Sequence, residues 1–497
     1  MARGVAWMIG FKVAERFLSL VSTIVLARVL VPADFGLIVL ATSLIGLIAV
    51  AGALGLDTSL IRQQNASNEH FNAVWTLNVL FGVGIGLLAA CAAPAAAWVY
   101  DDRRLIDVVL LLALARAIGS LENPGIIGFR KDLEFDREVT FLLIKRLAAS
   151  LVFTIPLALV LRSYWALAIG NLLSACFAVA LSYVVHPYRP RFSIAGAGDL
   201  MSFSKWLLFS SILQFLHGRA ADLIVGRVAG ASALGAFTVA QEIARVPANE
   251  ISAPVHRAVF PGYAKLAADR EDLRRAYLRV ASLLVLIVVP AGTGLALLAE
   301  PAVAMLLGSA WMAAVPLVEL LAFNAVLNVL LGSGHYVNLA VGMARSTSCV
   351  LAAHVAISLP LMLVLAPARG AAGAAAALLI ASIVVAPLSF ALLAKAIRLH
   401  WRDVWAFMWR PALGTLTMSG VLITLRSRLA WTDGVAARIG YVAVLVLTGL
   451  AVYAAVVLLL WRLRRAPDGA EAWVLRKLRD ALSVVDRSPR ARPARDR

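Results

Sequence analysis

Charge is scarce in this sequence, and cysteine is scarcer. Only 15% of its 497 residues are Asp, Glu, Lys or Arg, and no long polar stretch separates its apolar runs. A globular protein of this length needs far more polar surface to cover its core, so a soluble enzyme is excluded. The three cysteines, Cys91, Cys176 and Cys349, sit in apolar runs. They act there as small hydrophobes and leave neither a disulfide framework nor a Cys/His metal spacing. A Walker loop, a catalytic triad and a paired-carboxylate hydrolase arrangement are all missing, so no catalytic residue, metal or cofactor is expected.

What is present is hydrocarbon. Apolar residues make up 62% of the chain, and the mean hydropathy is +0.87. A helix needs about 20 apolar residues to cross a bilayer. Runs of that order recur at 5–30, 34–56, 71–99, 104–121, 140–161, 164–186, 203–228, 233–256, 277–299, 312–339, 346–366, 370–394, 408–426 and 438–462. The expected fold is therefore an all-α membrane protein of about fourteen transmembrane helices. The apolar run from Val5 to Leu30 is too long for a signal peptide's core and is expected to be the first span.

An even count puts both termini on one side, and the basic residues choose the side. Loops on that side carry Arg130, Lys131, Arg189, Arg191, a cluster from Arg257 to Arg279, and Lys395, Arg398, Arg402 and Arg410. The opposite loops are short and hold chiefly Arg103, Arg104, Arg369 and Arg426. The positive-inside rule then makes both termini cytoplasmic in a multi-pass protein of a bacterial inner membrane. It also accounts for the net charge of +18 through anionic headgroups, and no nucleic-acid partner is expected.

Residues 471–485 differ in kind. Trp473, Leu475, Leu478, Leu482 and Val485 fall near one helical face, with Arg476, Lys477 and Arg479 mostly on the other. That pattern describes an amphipathic helix lying on membrane lipid, too short and too charged to span. The basic tail after it has nothing to bury and is expected to be disordered.

A weak internal repeat organises the rest. LARVLVPADFGLIVLA closes the first span and VGRVAGASALGAFTVA closes the seventh. Arg28 corresponds to Arg227, Gly36 to Gly235 and Trp7 to Trp206 at one constant offset. Copies six spans apart have the same orientation, which is a known transporter plan with the substrate site between two halves. The expected division is a six-helix bundle over 1–195, a second over 196–400, two additional transmembrane helices over 401–465, and a cytoplasmic amphipathic helix with its tail over 466–497.

The run from Ala221 to Asp269 carries a family resemblance. Its Asp222, Gly226-Arg227, Leu234-Gly235, Pro247 and Phe260-Pro261 resemble the second-half signature of bacterial polysaccharide transporters. These are the Wzx-like oligosaccharide flippases of the multidrug/oligosaccharidyl-lipid/polysaccharide exporter superfamily. LARVLVPADFGLIVLATSL is similar to the opening of the same family, nearest its colanic-acid-exporter-type branch. The resemblance implies that an undecaprenyl-pyrophosphate-linked oligosaccharide repeat is turned across the inner membrane for exopolysaccharide, capsule or lipopolysaccharide synthesis. It implies alternating access to a central cationic cavity, and, as partners, a polysaccharide polymerase and a chain-length regulator.

Ionisable side chains inside spans are costly, so each is a candidate for a role. Lys12 and Arg16 share a face of the first span, with Glu15 placed to neutralise Lys12. Together with Arg116 and Arg219 they form the expected cationic cavity for a pyrophosphate, whose oxygens accept charge-assisted hydrogen bonds. Lys145 and Arg146 either join that cavity or snorkel to headgroups. Arg219 with Asp222, and Glu242 with Arg245, are spaced as intrahelical ion pairs. Asp222, Glu242 and Glu319 are the ion-coupling candidates, because a carboxylate in low dielectric can titrate near neutrality. Asn324 and Asn328 serve either helix packing or sugar contacts. His217, His335 and His354 lack metal-ligand spacing and are expected as hydrogen-bonded packing residues.

Three other readings compete. An ion-coupled multidrug antiporter of the same superfamily would carry a more acidic, aromatic cavity. A flippase for a lipid-linked peptidoglycan precursor fits the Asp222 to Pro261 signature less well. A membrane-embedded glycan polymerase or ligase would present a large outward loop, and here those loops are short.

Overall fold

The computed structural model describes residues 2–50, 52, 55–63, 66–195, 197–198, 204–429, 435–464 and 469–485. The basic tail and the Lys12 side chain, both singled out by the sequence, lie outside the described residues. Every regular element among the described residues is helical. In lipid this is what the backbone requires, because each N–H and C=O must find its partner within the segment.

Nine of the described helices are long and apolar enough to cross a membrane. Two of these are double. Ser204–Leu266 is broken at Gly230 (φ 80°) and Ala344–Ile397 at Gly370 (φ 59°). Both breaks fall where one apolar run gives way to the next, and both sit at a backbone conformation that glycine alone adopts cheaply. Other helices fall outside the nine for visible reasons. Arg104–Gly119 has only 16 residues, and Ala2–Val29 carries Lys12, Glu15 and Arg16 in mid-run. The count of about fourteen is therefore not reached by that criterion, although the all-helical membrane class holds.

The chain forms two compact units. The first combines Met1–Arg245 with Ala299–Asn324 and Ser348–Val385. Within it, helix Asn68–Tyr100 lies close against Arg104–Gly119, where a Cβ on Gly82 would meet the Ser120 side chain at 2.2 Å and one on Gly86 the Ala113 carbonyl at 3.0 Å. Small residues of this kind replace the hydrophobic drive that lipid does not supply. The helix from Phe135 onward is not uniform. A π-helical stretch of seven residues, Ala148–Thr154, separates Phe135–Leu147 from Ile155–Leu161.

The repeat read in the sequence meets itself in this unit. A Cβ on Gly36 would lie 1.7 Å from the Ala231 carbonyl oxygen, and one on Gly235 would lie 1.8 Å from the Pro32 carbonyl oxygen. Pro32 and Ala231 correspond at the same offset as the two glycines, so the crossing is self-complementary in the way a two-fold contact is. Around it, Trp311 Nε1 donates to the Ala27 carbonyl at 2.8 Å, and Tyr100 Oη donates to the Leu223 carbonyl at 3.3 Å. Arg28 caps the end of helix Ala299–Leu306 by donating to the Met305 and Leu306 carbonyls. A guanidinium at a helix C-terminus satisfies carbonyls the helix leaves open.

The second unit comprises Val246–Leu298, Ala325–Thr347 and Ala386–Arg497. Its interior gathers Leu286, Met418, Leu422, Leu445, Tyr453 and Val457 with Ala470 of the last described helix, Ala470–Val485. Tyr453 Oη donates to the Leu286 carbonyl at 2.6 Å. Arg410 and Glu471 pair at 3.0 Å with side chains only 11% and 6% exposed. That buried pair ties the last helix to Trp401–Arg428.

Candidate functional site

A cavity of about 970 Å³, lined by charged and apolar residues, opens inside the first unit. It is walled by the first helix, by Pro32–Val50, Arg104–Gly119 and Trp165–Val185, and by the helix that carries the π stretch. Its lining holds four basic side chains, Arg116, Arg130, Lys145 and Arg146, against two carboxylates, Glu15 and Glu122. Hydroxyls and an amide complete it, among them Ser22, Thr42, Ser150 and Asn171. Such a lining is expensive in a lipid-embedded bundle and marks a polar ligand or a water-filled path.

The cations are not equivalent. Lys145 Nζ pairs with Glu122 at 2.6 Å, and Arg130 pairs with the buried Glu138. Arg116 and Arg146 form no ion pair among the described residues. The Nε of Arg146 is buried without a hydrogen-bond partner. Arg146 stands just before the π stretch, and Ala149, Ser150 and Thr154 of that stretch also face the cavity. A π stretch rotates the residues beyond it relative to a regular helix and recurs at functional sites. A second pocket of about 320 Å³ shares Arg116, Glu122 and Arg130 with the first.

Arg16, Arg219, Asp222 and Glu242 gather in a separate cluster around Arg245. Arg16 Nη1 lies 2.8 Å from Glu242 Oε2, so Glu242 takes its partner from the first helix, 226 positions away. The intrahelical pair expected between Glu242 and Arg245 is not formed among the described residues. Arg219 and Asp222 do lie together, at 3.1 Å. Asp222 is buried and also accepts from Ser43 Oγ at 3.0 Å. Glu319 is exposed on helix Val315–Ala340 and forms no ion pair among the described residues.

Thus Arg116 lines the cavity, with Lys145 and Arg146 beside it, whereas Arg16 and Arg219 are occupied by carboxylates. Two features escaped the sequence. Ser43 reaches Asp222 from a run of apolar residues with nothing to mark it. A buried chain links His354, Ser382 and Asn324, and side chains so far apart in sequence give no local sign of meeting.

A family model described as polysaccharide biosynthesis protein matches residues 25–316. The chain belongs to this family. The stretch that matches the polysaccharide biosynthesis family holds Arg116, Arg146, Arg219, Asp222 and Glu242, while His354 and Ser382 lie beyond it. Among the relatives of this chain, the succinoglycan biosynthesis transport protein ExoT of Rhizobium meliloti (strain 1021) is 28% identical over 65% of this chain and 66% of its own length. The lipopolysaccharide biosynthesis protein WzxC of Escherichia coli (strain K12) is 26% identical over 61% of this chain and 62% of its own. The teichuronic acid biosynthesis protein TuaB of Bacillus subtilis (strain 168) is 26% identical over 59% of this chain and 61% of its own. Each match covers less than two thirds of the relative's length.

Two solved structures share the fold. The lipid II flippase MurJ in an inward closed conformation superposes with a TM-score of 0.71 over 92% of this chain and 99% of that one, at 13% identity. A multidrug resistance MATE family transporter in an inward-facing conformation gives 0.57 over 77% and 94%, at 18% identity. At such identities the likeness concerns the fold alone.

Proposed function

We propose that this protein moves an undecaprenyl-pyrophosphate-linked oligosaccharide across a bacterial inner membrane by alternating access. The reading takes the family's role in polysaccharide biosynthesis and asks where a diphosphate would be held. Two guanidinium groups that form no ion pair among the described residues, in a cavity within a lipid-embedded bundle, carry the answer. Their cost is offset when an anion supplies the missing acceptors, and a guanidinium fork matches phosphate oxygens in pairs. Asn171, Ser174 and the other polar groups of the wall offer hydrogen bonds to sugar hydroxyls.

In this reading the two six-helix halves are 1–195 and 196–400, followed by two further spans to 465 and an interfacial segment from 466. Both termini face the cytoplasm in this reading, which the basic loops support. Asp222, Glu242 and Glu319 are the carboxylates available to exchange a proton or sodium ion, the first two each held by an arginine that can let it go. A polymerase and a chain-length regulator would act on the delivered repeat unit.

The test follows fluorescent undecaprenyl-pyrophosphate oligosaccharide in proteoliposomes, with the fraction reaching the far leaflet read by chemical quenching. Arg146→Ala and Arg116→Ala are each expected to slow translocation roughly tenfold to hundredfold, the worth of a charge-assisted hydrogen bond. Arg146→Lys, which keeps the charge and loses the fork, should fall between. Export of small organic cations by the wild type, with no movement of the lipid-linked sugar, would overturn the flippase reading in favour of an antiporter.

A further inference from the structure

His354 lies in a part of the first unit that the cavity and the carboxylates do not use. Its side chain is on the first half of Ala344–Ile397, with the residue only 5% exposed. Its Nε2 is 3.2 Å from Ser382 Oγ, and Ser382 Oγ donates to Asn324 Oδ1 at 2.7 Å. A hydroxyl has one hydrogen, and here Asn324 takes it. The contact to Ser382 must therefore be a donation from His354 Nε2–H. A neutral imidazole carries one hydrogen, so Nδ1 of His354 is a bare lone pair. That Nδ1 is buried and has no hydrogen-bond partner among the described residues.

A histidine kept only for packing satisfies both ring nitrogens or gives way to an apolar side chain. A buried acceptor with nothing donating to it calls for an explanation. Beside it, the His217 ring stands edge-on with centroids 4.7 Å apart, and His217 is exposed. The lone pair therefore has a titratable neighbour that reaches out of the packed interior. We propose that His354 is a proton-binding site of the transport cycle, with His217 as the titratable group at its edge.

The surroundings say which form this state represents. His217 is the charged or titratable group facing His354, and Arg245 faces His217 from the same helix. Arg245 is in turn surrounded by Glu242, Asp222, Arg16 and Arg219. From helix Val315–Ala340 the neighbour is Asn324, and from the second half of Ala344–Ile397 it is Ser382, both uncharged. Among the described residues no acceptor stands within hydrogen-bond distance of Nδ1, so this conformation suits the proton-free form. The break at Gly370 lies between His354 and Ser382, so motion there parts the hydrogen-bonded pair and lets water reach the ring. Uptake belongs to that wetted state and release to the state described here. The proton is bound from water and returned to it, with the Nδ1–H bond as the one covalent bond made and broken.

The experiment needs no sugar substrate, so its failure is separate from failure of the flippase reading. Full-length protein labelled with ¹⁵N-histidine is placed in nanodiscs and its imidazole shifts are followed from about pH 8 to about pH 5. His354 is expected as the Nε2–H tautomer at the alkaline end and doubly protonated at the acid end. In parallel, spin labels at Arg103 and Ser232 report the distance between the Asp101–Arg104 and Gly230–Ser232 turns. If one state binds the proton ten times better, acid shifts the ratio of the two distance populations by up to about tenfold. His354→Gln keeps a donor for Ser382 and should abolish that response, whereas His217→Gln should displace its midpoint. A His354 ring that keeps one protonation state throughout would overturn the proposal. So would a full pH response in folded His354→Gln.

Discussion

His186 ends helix Trp165–Val185, and its ring is fastened from several sides. Nδ1 accepts the Tyr188 N–H at 3.1 Å, and the His186 carbonyl accepts from Asn123 Nδ2 at 3.3 Å. A nitrogen that accepts must be unprotonated. Burial pushes the pKa of His186 below the ordinary histidine value, and Arg137 and Arg189 push the same way. The unfolded chain therefore binds this proton more readily than the folded one. The stabilisation is complete above the ordinary value of about 6.5 and is lost as pH falls below it. Thermal unfolding of the solubilised protein should move to lower temperature between about pH 7.5 and about pH 5.5. His186→Asn puts an amide oxygen near the place of Nδ1 and does not titrate, so it should flatten part of that slope. An unchanged slope in His186→Asn would assign the titration to another group.

Helices were largely visible in the sequence because a bilayer imposes one length and one composition. The Gly230 and Gly370 breaks fall between apolar runs already separated by their turn residues, and helix Ala470–Val485 covers the segment marked by its amphipathic spacing. The π stretch at Ala148–Thr154 left no such sign, because an extra residue in a helical turn alters neither composition nor apolar period. It is nonetheless the element that places Arg146 and Thr154 along one cavity. Inserting one alanine between Arg146 and Leu147 should turn everything beyond it by about 100° relative to Arg146. The expected result is protein that inserts and stays folded, with translocation reduced about as far as in Arg146→Ala. Translocation at the wild-type rate would mean that the register of this helix does not matter to the site.

At the scale of the whole molecule, contacts between distant residues were the least visible. Arg16 and Glu242 are 226 positions apart, and one sequence read by itself offers nothing to join them. The repeat is the exception, since Gly36 and Gly235 match by offset in the sequence and meet in the fold. Their crossing is self-complementary: each glycine lies against the carbonyl oxygen of the residue matched to the one its partner touches. Backbones this close leave no room for any side chain. If the crossing forms in one state of the cycle and opens in the other, a Cβ at either glycine acts on that state alone. Gly36→Ala and Gly235→Ala should then shift the protein toward the open state to similar extents, because the two environments are related by the repeat. Spin-label distances across the Asp101–Arg104 and Gly230–Ser232 turns would read the shift directly. Because either substitution already holds the backbones apart, the double variant should shift the equilibrium little more than each single one. Additive effects would show that the glycines act independently, and unequal ones that the two-fold relation does not govern the gate. Unchanged distances with intact folding would confine the pair to static packing.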